Sequence, residues 1–419
     1  MAIKMQSTWR RDVKKPRFPQ LKSSVETDIV IIGAGITGIT CAYLLSKAGK
    51  KVVLLDKKSL CAGATGDTTA FLTQSVDTDL TKLIRMYGKS KTSLISESHQ
   101  NAIDLIEQVI KENEIECGFK RCSNYIYSPD EESVEYLKEE GETAKNLGIN
   151  MKFRKDKSLK FKNKGYLEVP DQAKFHPLKY LFSLAKISQK NGARIFEKTE
   201  VTEIKGTGPF TIITEKGSVK AKYIIVATYN PFNGKISFKK AFYNSYVFEL
   251  QIPKNTLKEG LYEDTLNPYH YFRVDRKKDF DNVMIGGEDH RSDIPVSESK
   301  SFRALEDYIN KTFPDVRYKI INRWKGSILE SVDGLAFIGT YKEKNIFYAT
   351  AFSGNGITYS MIASQIIANS ILGKKHKMLR FSSLYSAERS PTLKQLFLKA
   401  PDYIQEFFSG ALKNTLRIS

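Results

Sequence analysis

The residues with the plainest chemical potential lie near the start of the chain. Gly33-Ala34-Gly35-Ile36-Thr37-Gly38 is a GxGxxG run. It sits between a β-branched stretch, Ile29 to Ile32, and a stretch with helical spacing, Ile36 to Ala48. That is the context a dinucleotide site requires. Gly33 permits the tight turn, Gly35 lets backbone approach a pyrophosphate, and Gly38 lets the helix pack closely on the strand. Phosphates would then meet free N–H groups and the positive end of a helix. Asp56 ends the next apolar strand, Val52 to Leu55, where a carboxylate can accept hydrogen bonds from ribose hydroxyls and would repel a 2′-phosphate. A second glycine loop, Phe352-Ser353-Gly354-Asn355-Gly356-Ile357-Thr358, leads from a strand beginning at Ile346 into a helix ending near Leu372. Its glycines let backbone pass close to a flat ring, with a helix N-terminus aimed at it.

Elements must hold these loops. The spacing predicts helices over about 78 to 114, from His176-Pro177 to Asn191-Gly192, and from Ser299 to Phe313. Strands are expected at Val201 to Ile204, Tyr223 to Ala227, Tyr246 to Ile252 and Val283 to Gly286, with a hairpin around Gly217. At 419 residues the chain is long enough for two joined domains. The expected fold is α/β: a Rossmann-type nucleotide-binding domain with a discontinuous, mixed-sheet α+β substrate domain. Residues 27–80, 150–235 and 320–375 are assigned to the first, and 81–149 and 236–319 to the second. Residues 1–26 form an arm and 376–419 a basic helical tail.

Hydrophobic residues make up 41% and charged residues 27%, ordinary for a soluble protein. No segment reads as a transmembrane span or secretory signal. Cys41, Cys61, Cys117 and Cys122 form no CxxC pair and no metal spacing, so no metal is expected, and reduced thiols point to the cytoplasm. The net charge of +19 permits attraction to anions, but the lysines are dispersed and no nucleic-acid recognition motif accompanies them. The tail carries Leu393, Leu396, Phe397, Ile404, Phe407 and Phe408 among Lys394, Lys399 and Lys413. Peripheral membrane contact is one reading of it, and helices packing on the parent domain the other.

The stretch Cys61-Ala62-Gly63-Ala64-Thr65-Gly66-Asp67-Thr68-Thr69-Ala70 resembles the flavin loop of the D-amino acid oxidase superfamily, which includes glycine and sarcosine oxidases. Phe175-His176-Pro177, Gly192-Ala193, Trp324-Lys325-Gly326, Asp333-Gly334, Ile338-Gly339 and the Phe352–Thr358 loop match in the same order, over roughly residues 25 to 375. Ser7-Thr8-Trp9, Thr65 to Ala70, and Ile115-x-Cys117 are most similar to the oxidoreductase half of members fused to a Rieske iron–sulfur domain. A Rieske centre needs two Cys and two His, and after residue 375 this sequence has only His376. The resemblance implies non-covalent FAD held by Gly33, Gly35, Ile36, Thr37, Gly38, Asp56, Lys57, Gly63, Ala64, Thr65, Thr68, Thr69, Val201, Ala227, Thr228, Gly339, Gly354, Asn355, Gly356, Ile357 and Thr358. Oxygen or a separate carrier would take the electrons.

On the substrate side, Arg273 in Pro268-Tyr269-His270-Tyr271-Phe272-Arg273 is the leading candidate, because similar aromatic-plus-Arg strands face the flavin in relatives. It could clamp a carboxylate with two hydrogen bonds. Tyr271 shares its strand parity, and His270 would face the other way. Lys325 could favour negative charge on reacting oxygen. His176, His290 and Arg291 read more simply as a helix start and a turn. The expected reaction is hydride transfer from an amine or amino-acid carbon to flavin N5. The alternatives are a dehydrogenase of a hydroxy acid or phosphorylated polyol that passes electrons to a quinone or carrier, and a flavin-bearing binding protein without turnover.

Overall fold

A computed structural model describes residues 6–230, 240–392, 394, 395 and 398. Two sheets organise the chain. In the 8-stranded sheet the spine runs Phe337–Tyr341, Glu343–Thr350, Ser218–Val226, Val25–Ile32, Val52–Leu55, Arg194–Phe196. From Glu343–Thr350 to Arg194–Phe196 every pairing is parallel. Such strands are covered on both faces, which is why Ile29 to Ile32, the second half of Val25–Ile32, and Val52–Leu55 read as unbroken apolar runs. Ile29, Ile31, Val52 and Leu54 enter one core, shared with the helices Ile36–Lys47, Lys89–Glu112, Pro177–Lys190 and Gly356–Leu372. Val30, Ile32, Val53 and Leu55 enter another, under the Phe210–Thr214 hairpin strand.

The 9-stranded sheet is mixed and runs Lys319–Ser331, Lys240–Ile252, Asp281–Arg291, His270–Arg276, Gly260–Asp264, Lys120–Ser128, Gly165–Lys174, Phe71–Leu72, with Lys152–Arg154 beside Gly165–Lys174. Its outer face packs an aromatic core against helix Glu298–Thr312, with Tyr262 stacked on Phe272 at 4.3 Å between ring centroids.

Local pattern misassigned several segments. Residues 152–174 and 320–331 were expected in the nucleotide-binding domain, yet their strands belong to the second sheet. Helix Lys89–Glu112, expected in the substrate domain, buries Ala102, Ile103 and Ile106 in the core of the first. Sheet membership depends on partners far away in sequence, as when Val247 pairs with Trp324. The predicted helix over 78 to 114 is two helices, broken at Gly88, whose φ of 82° no ordinary helix residue adopts.

The tail also differs from expectation over its described part. Residues 376–392 begin with a short 3-10 turn, Lys377–Phe381, and dock on the first domain by burying Met378, Phe381 and Tyr385 completely. Arg389 then pairs with buried Asp333 at 2.8 Å and donates to Ala336 O. Leu393, Leu396, Phe397, Lys399, Ile404, Phe407, Phe408 and Lys413 lie outside the described residues. No helix among the described residues is long and apolar enough to cross a membrane. We expect Phe381→Ala to cost about 3–5 kcal/mol in denaturant unfolding, the range for emptying a buried aromatic site.

Candidate functional site: a flavin cleft between two sheets

The chain leaves strand Val25–Ile32 through Gly33 at φ +105°. A Cβ on Gly33 would lie 2.6 Å from Ala227 O, and one on Gly38 only 1.8 Å from Gly33 O. Both positions therefore exclude any side chain, and helix Ile36–Lys47 is pressed against the turn that precedes it. Asp56 completes the turn: its Oδ2 accepts the Ala34 N–H at 2.8 Å and its Oδ1 the Lys58 N–H at 2.8 Å. The carboxylate lines the same cleft as Gly33, Gly35 and Thr37.

Helix Gly356–Leu372 lies against helix Ile36–Lys47 through small polar residues. Thr37 Oγ1 donates to Ser360 Oγ at 2.9 Å, and Ser364 Oγ to Thr37 O at 3.3 Å. Two helix N-termini thus open on one cavity of about 580 Å³. Each presents backbone N–H groups that lack helical partners, and their partial positive charge suits phosphates at one end and a reduced ring at the other. The Gly354 N–H donates to Asp77 at 2.6 Å, and the Asn355 amide to Thr73 Oγ1 at 3.0 Å and Ser75 O at 2.8 Å. Asn355 Oδ1 is buried and has no hydrogen-bond partner among the described residues.

The N-terminal arm fastens the loop over this cavity. Trp9 Nε1 donates to Thr68 O at 2.6 Å, Trp324 Nε1 to Asp67 O at 2.9 Å, and Ser7 to Gly66 O. Arg10 pairs with Asp67 at 3.1 Å and reaches Ala62 O and Gly63 O at 3.3 and 3.2 Å. Arg10 was missed in the sequence reading, although the neighbouring Ser7-Thr8-Trp9 was noticed. Cys61 is buried, and burial pushes its thiol well above the ordinary range, so it is a poor nucleophile for attaching a flavin.

Of the expected cofactor residues, Gly33, Gly35, Ile36, Thr37, Asp56, Lys57, Gly63, Ala64, Thr65, Thr68, Thr69, Val201, Ala227, Thr228, Gly354, Asn355, Gly356 and Ile357 line the cavity. Three do not. Gly38 acts by helix packing, as its Cβ position requires. Gly339 lies in a strand opposite Tyr348. Thr358 turns its hydroxyl to His99 Nδ1 at 2.7 Å and away from the cavity.

The substrate-side expectations fare unevenly. Tyr271 lines the cavity and its hydroxyl is 2.9 Å from Ser245 Oγ. Arg273 does not reach the cavity. Its guanidinium is committed to Asp275 at 2.9 Å and to the carbonyls of Thr69, Ala70 and Phe175, and it lies over the Trp9 ring. Tyr271 and Arg273 share a face as expected, but the flavin loop ends between them, so Arg273 braces that loop from behind. Lys325 is also excluded: it is half exposed and paired with Glu298 at 2.6 Å on the far side of its strand. His270 faces the opposite way from Tyr271, stacked on Tyr308 between Asp264 and Glu288. Burial lowers its pKa, but the two carboxylates outweigh this and raise it.

Sequence reading missed Ser245, Tyr269 and Glu263, which line the cavity beside Tyr271, and Asp289, which sits against Tyr269 without lining the cavity itself. Tyr269 OH donates to Asp289 Oδ2 at 3.3 Å, and Asn124 to Glu263 Oε1 at 3.0 Å. Burial pushes both carboxyls up to about 7, against the lowering pull of Asn124 on Glu263 and of Ser245 and Tyr269 on Asp289. Neither acid is in an ion pair among the described residues.

A glycine turn, an acid at the end of the second strand, a second glycine helix and a mixed sheet closing the cleft define a flavin-dependent oxidoreductase. The comparisons agree. The family described as FAD dependent oxidoreductase matches residues 28–370. The chain is 30% identical over 416 residues to a putative Rieske 2Fe-2S iron-sulfur protein of Bacillus subtilis, covering 97% of this chain and 80% of that one. It is 26% identical to gamma-glutamylputrescine oxidoreductase of Escherichia coli, with 88% of each covered. Glycine oxidase from Geobacillus kaustophilus shares the fold with a TM-score of 0.72 at 17% identity, over 87% of this chain and 99% of that one. The chain belongs to the D-amino acid oxidase family of FAD-dependent oxidoreductases, and FAD is its cofactor.

Three outcomes test this geometry. Gly33→Ala should abolish FAD retention on gel filtration, because the turn must open to admit a methyl group. Arg273→Ala should lower stability by about 3 kcal/mol, the lower end for breaking a buried pair, because Lys174 still faces Asp275 at 2.8 Å. Lys325→Ala should change neither stability nor turnover by more than about twofold, as expected for an exposed ion pair.

Proposed function

We propose that the chain oxidises the carbon next to the nitrogen of an amine or amino acid, with hydride passing to N5 of FAD. The bound flavin supplies the electron sink, and the protein supplies position and proton management. The observation that carries this reading is the Tyr271–Ser245–Tyr269 wall, which the second sheet holds across the cavity from both glycine loops, with Asp289 hydrogen-bonded to Tyr269 behind it. Aromatic faces and hydroxyls suit a nitrogen that is cationic on arrival. Hydride leaves readily only once that nitrogen is neutral, so a proton must go elsewhere. Asp289, held near 7, is matched to that task, and the Tyr269 hydroxyl that donates to it at 3.3 Å connects it to the cavity. The enclosing strands and the Cys61–Ala70 loop keep bulk water from the reacting carbon.

The names of relatives point the same way. Glycine oxidase and gamma-glutamylputrescine oxidoreductase are named for nitrogen-bearing substrates. The electron acceptor is oxygen or a separate carrier. The B. subtilis relative, named for an iron–sulfur centre, favours the carrier.

The test is stopped-flow reduction of the FAD-loaded protein by pooled amines, amino acids and hydroxy acids without oxygen. An amine or amino-acid pool should bleach the flavin; bleaching by hydroxy acids alone would overturn the reading. With an active pool, the rate should rise between pH 6 and 8 as Asp289 ionises, about 7 being its midpoint. Asp289→Asn should lower the rate by about a hundredfold, the lower end for losing a general base, and flatten that rise. Tyr269, Tyr271 and Ser245 surround Asp289, with Asp77 and His270 as its other charged neighbours, and Tyr271 ionises far above this window. Hydrogen peroxide release on admitting air separates oxygen from a carrier.

A further inference from the structure

The flavin cavity does not end at the substrate-facing wall. A second cavity of about 330 Å³ adjoins it, and Ser75, Val76, Asp77, Glu263 and Tyr269 line both. Beyond that threshold the lining includes Asp79, Glu140 and Asp264, and among the described residues no lysine, arginine or histidine. Most of these acids serve the fold. Asp79 caps the helix Leu80–Tyr87, Glu140 accepts the Leu80 and Thr81 N–H groups at 2.8 and 2.9 Å, and Asp264 accepts from His270. Glu263 is different. Asn124 engages one of its oxygens, and Oε2 has no hydrogen-bond partner among the described residues. Thr78 adds an independent sign. It is only 6% exposed, lines the annex, and its hydroxyl has no partner among the described residues. The Ser75 hydroxyl at the threshold is likewise buried and without a partner among them. An acid-lined recess with spare oxygen acceptors that opens off the flavin cavity calls for a hydrogen-bond-donating cation.

We propose that this annex is a subsite for a second cationic group of the substrate, an ammonium carried several bonds from the carbon that is oxidised. It deepens the proposed amine oxidation and rests on it. One end of the substrate sits beside Tyr271 and Ser245. The chain passes between Asp77 and Tyr269, and the far ammonium donates to Glu263 Oε2 and to the hydroxyls of Thr78 and Ser75. With Arg273 and Lys325 both committed elsewhere, no guanidinium or ammonium of the expected set is left to favour a carboxylate instead.

Diaminobutane, butylamine and glycine are compared on the FAD-loaded protein at equal ionic strength. Two readings are taken: the anaerobic rate of flavin reduction, and the shift in melting temperature on titration. The proposal expects diaminobutane to be preferred over butylamine by about tenfold in kcat/KM and to raise the melting temperature at lower concentration. Glu263→Gln and Thr78→Val should each shrink that preference. Thr78→Val removes one hydroxyl with little change of volume, so a folded variant is in hand even if the Glu263 variant fails. Equal or better use of butylamine or glycine overturns the annex while leaving amine oxidation standing. If no amine reduces the flavin, the proposed function falls, and the melting titration still decides the annex: no advantage of diaminobutane over butylamine overturns it.

Discussion

The structure depends on one close contact. Gly38 sits so near the carbonyl of Gly33 that a methyl group there would overlap it. That approach sets helix Ile36–Lys47 directly behind the turn leaving strand Val25–Ile32, so its first N–H groups open on the cleft. Helix Gly356–Leu372 takes its position from the first helix, through the Thr37–Ser360 hydrogen bond. Both helix N-termini thus inherit their aim from a contact that only glycine allows. A cofactor with phosphates at one end and a ring that gains negative charge at the other is the natural occupant of such a pair.

The second constraint is the loop Cys61–Ala70. It is held mainly through backbone carbonyls: those of residues 62, 63, 66, 67 and 68 accept from Arg10, Ser7, Trp9 and Trp324. Arg273 extends the scheme by donating to the carbonyls of Thr69 and Ala70. The arm and two distant strands therefore converge on one segment with donors, leaving its Thr65, Thr68 and Thr69 residues to line the cofactor cavity. This explains how a buried arginine can be indispensable without touching substrate. Its charge is balanced by Asp275, whose acidity is strengthened by Arg273 and Lys174 against the cost of burial.

Electrostatics divide the cleft. Lys57, Lys58 and the N-terminus of helix Ile36–Lys47 lie toward the nucleotide end, whereas Glu263 lies where the second sheet meets the cavity, and Asp289 stands behind Tyr269. Burial, with neighbouring acids adding to it, pushes those two carboxyls up to about 7, so their charge responds to what enters the site. A cationic nitrogen would draw them toward ionisation, and its own proton could leave toward them.

The nucleotide half of the protein was legible in the sequence because it is built from local signals. Strand, glycine turn, helix and acid follow one another between Ile29 and Asp56, and their periodicities and glycine positions have direct steric meaning. The Phe352–Leu372 strand-to-helix turn was legible for the same reason. The substrate half was not. Strand parity put Tyr271 and Arg273 on one face, but it could not say where the flavin loop would cross that face, and the crossing decides that Tyr271 meets the cavity while Arg273 meets Asp275. Lys325 was misjudged because Glu298, its partner, arrives on a helix packed from the other side. Ser245, Glu263 and Asp289 carry no motif at all. They meet only because strands Lys240–Ile252, Gly260–Asp264 and Asp281–Arg291 share a sheet with His270–Arg276 between the last two. Sequence determines what short-range sterics and periodicity dictate, and here that was the cofactor. Pairing between distant strands decided the rest, because a side chain's neighbours across a sheet are set by partners its own segment does not encode.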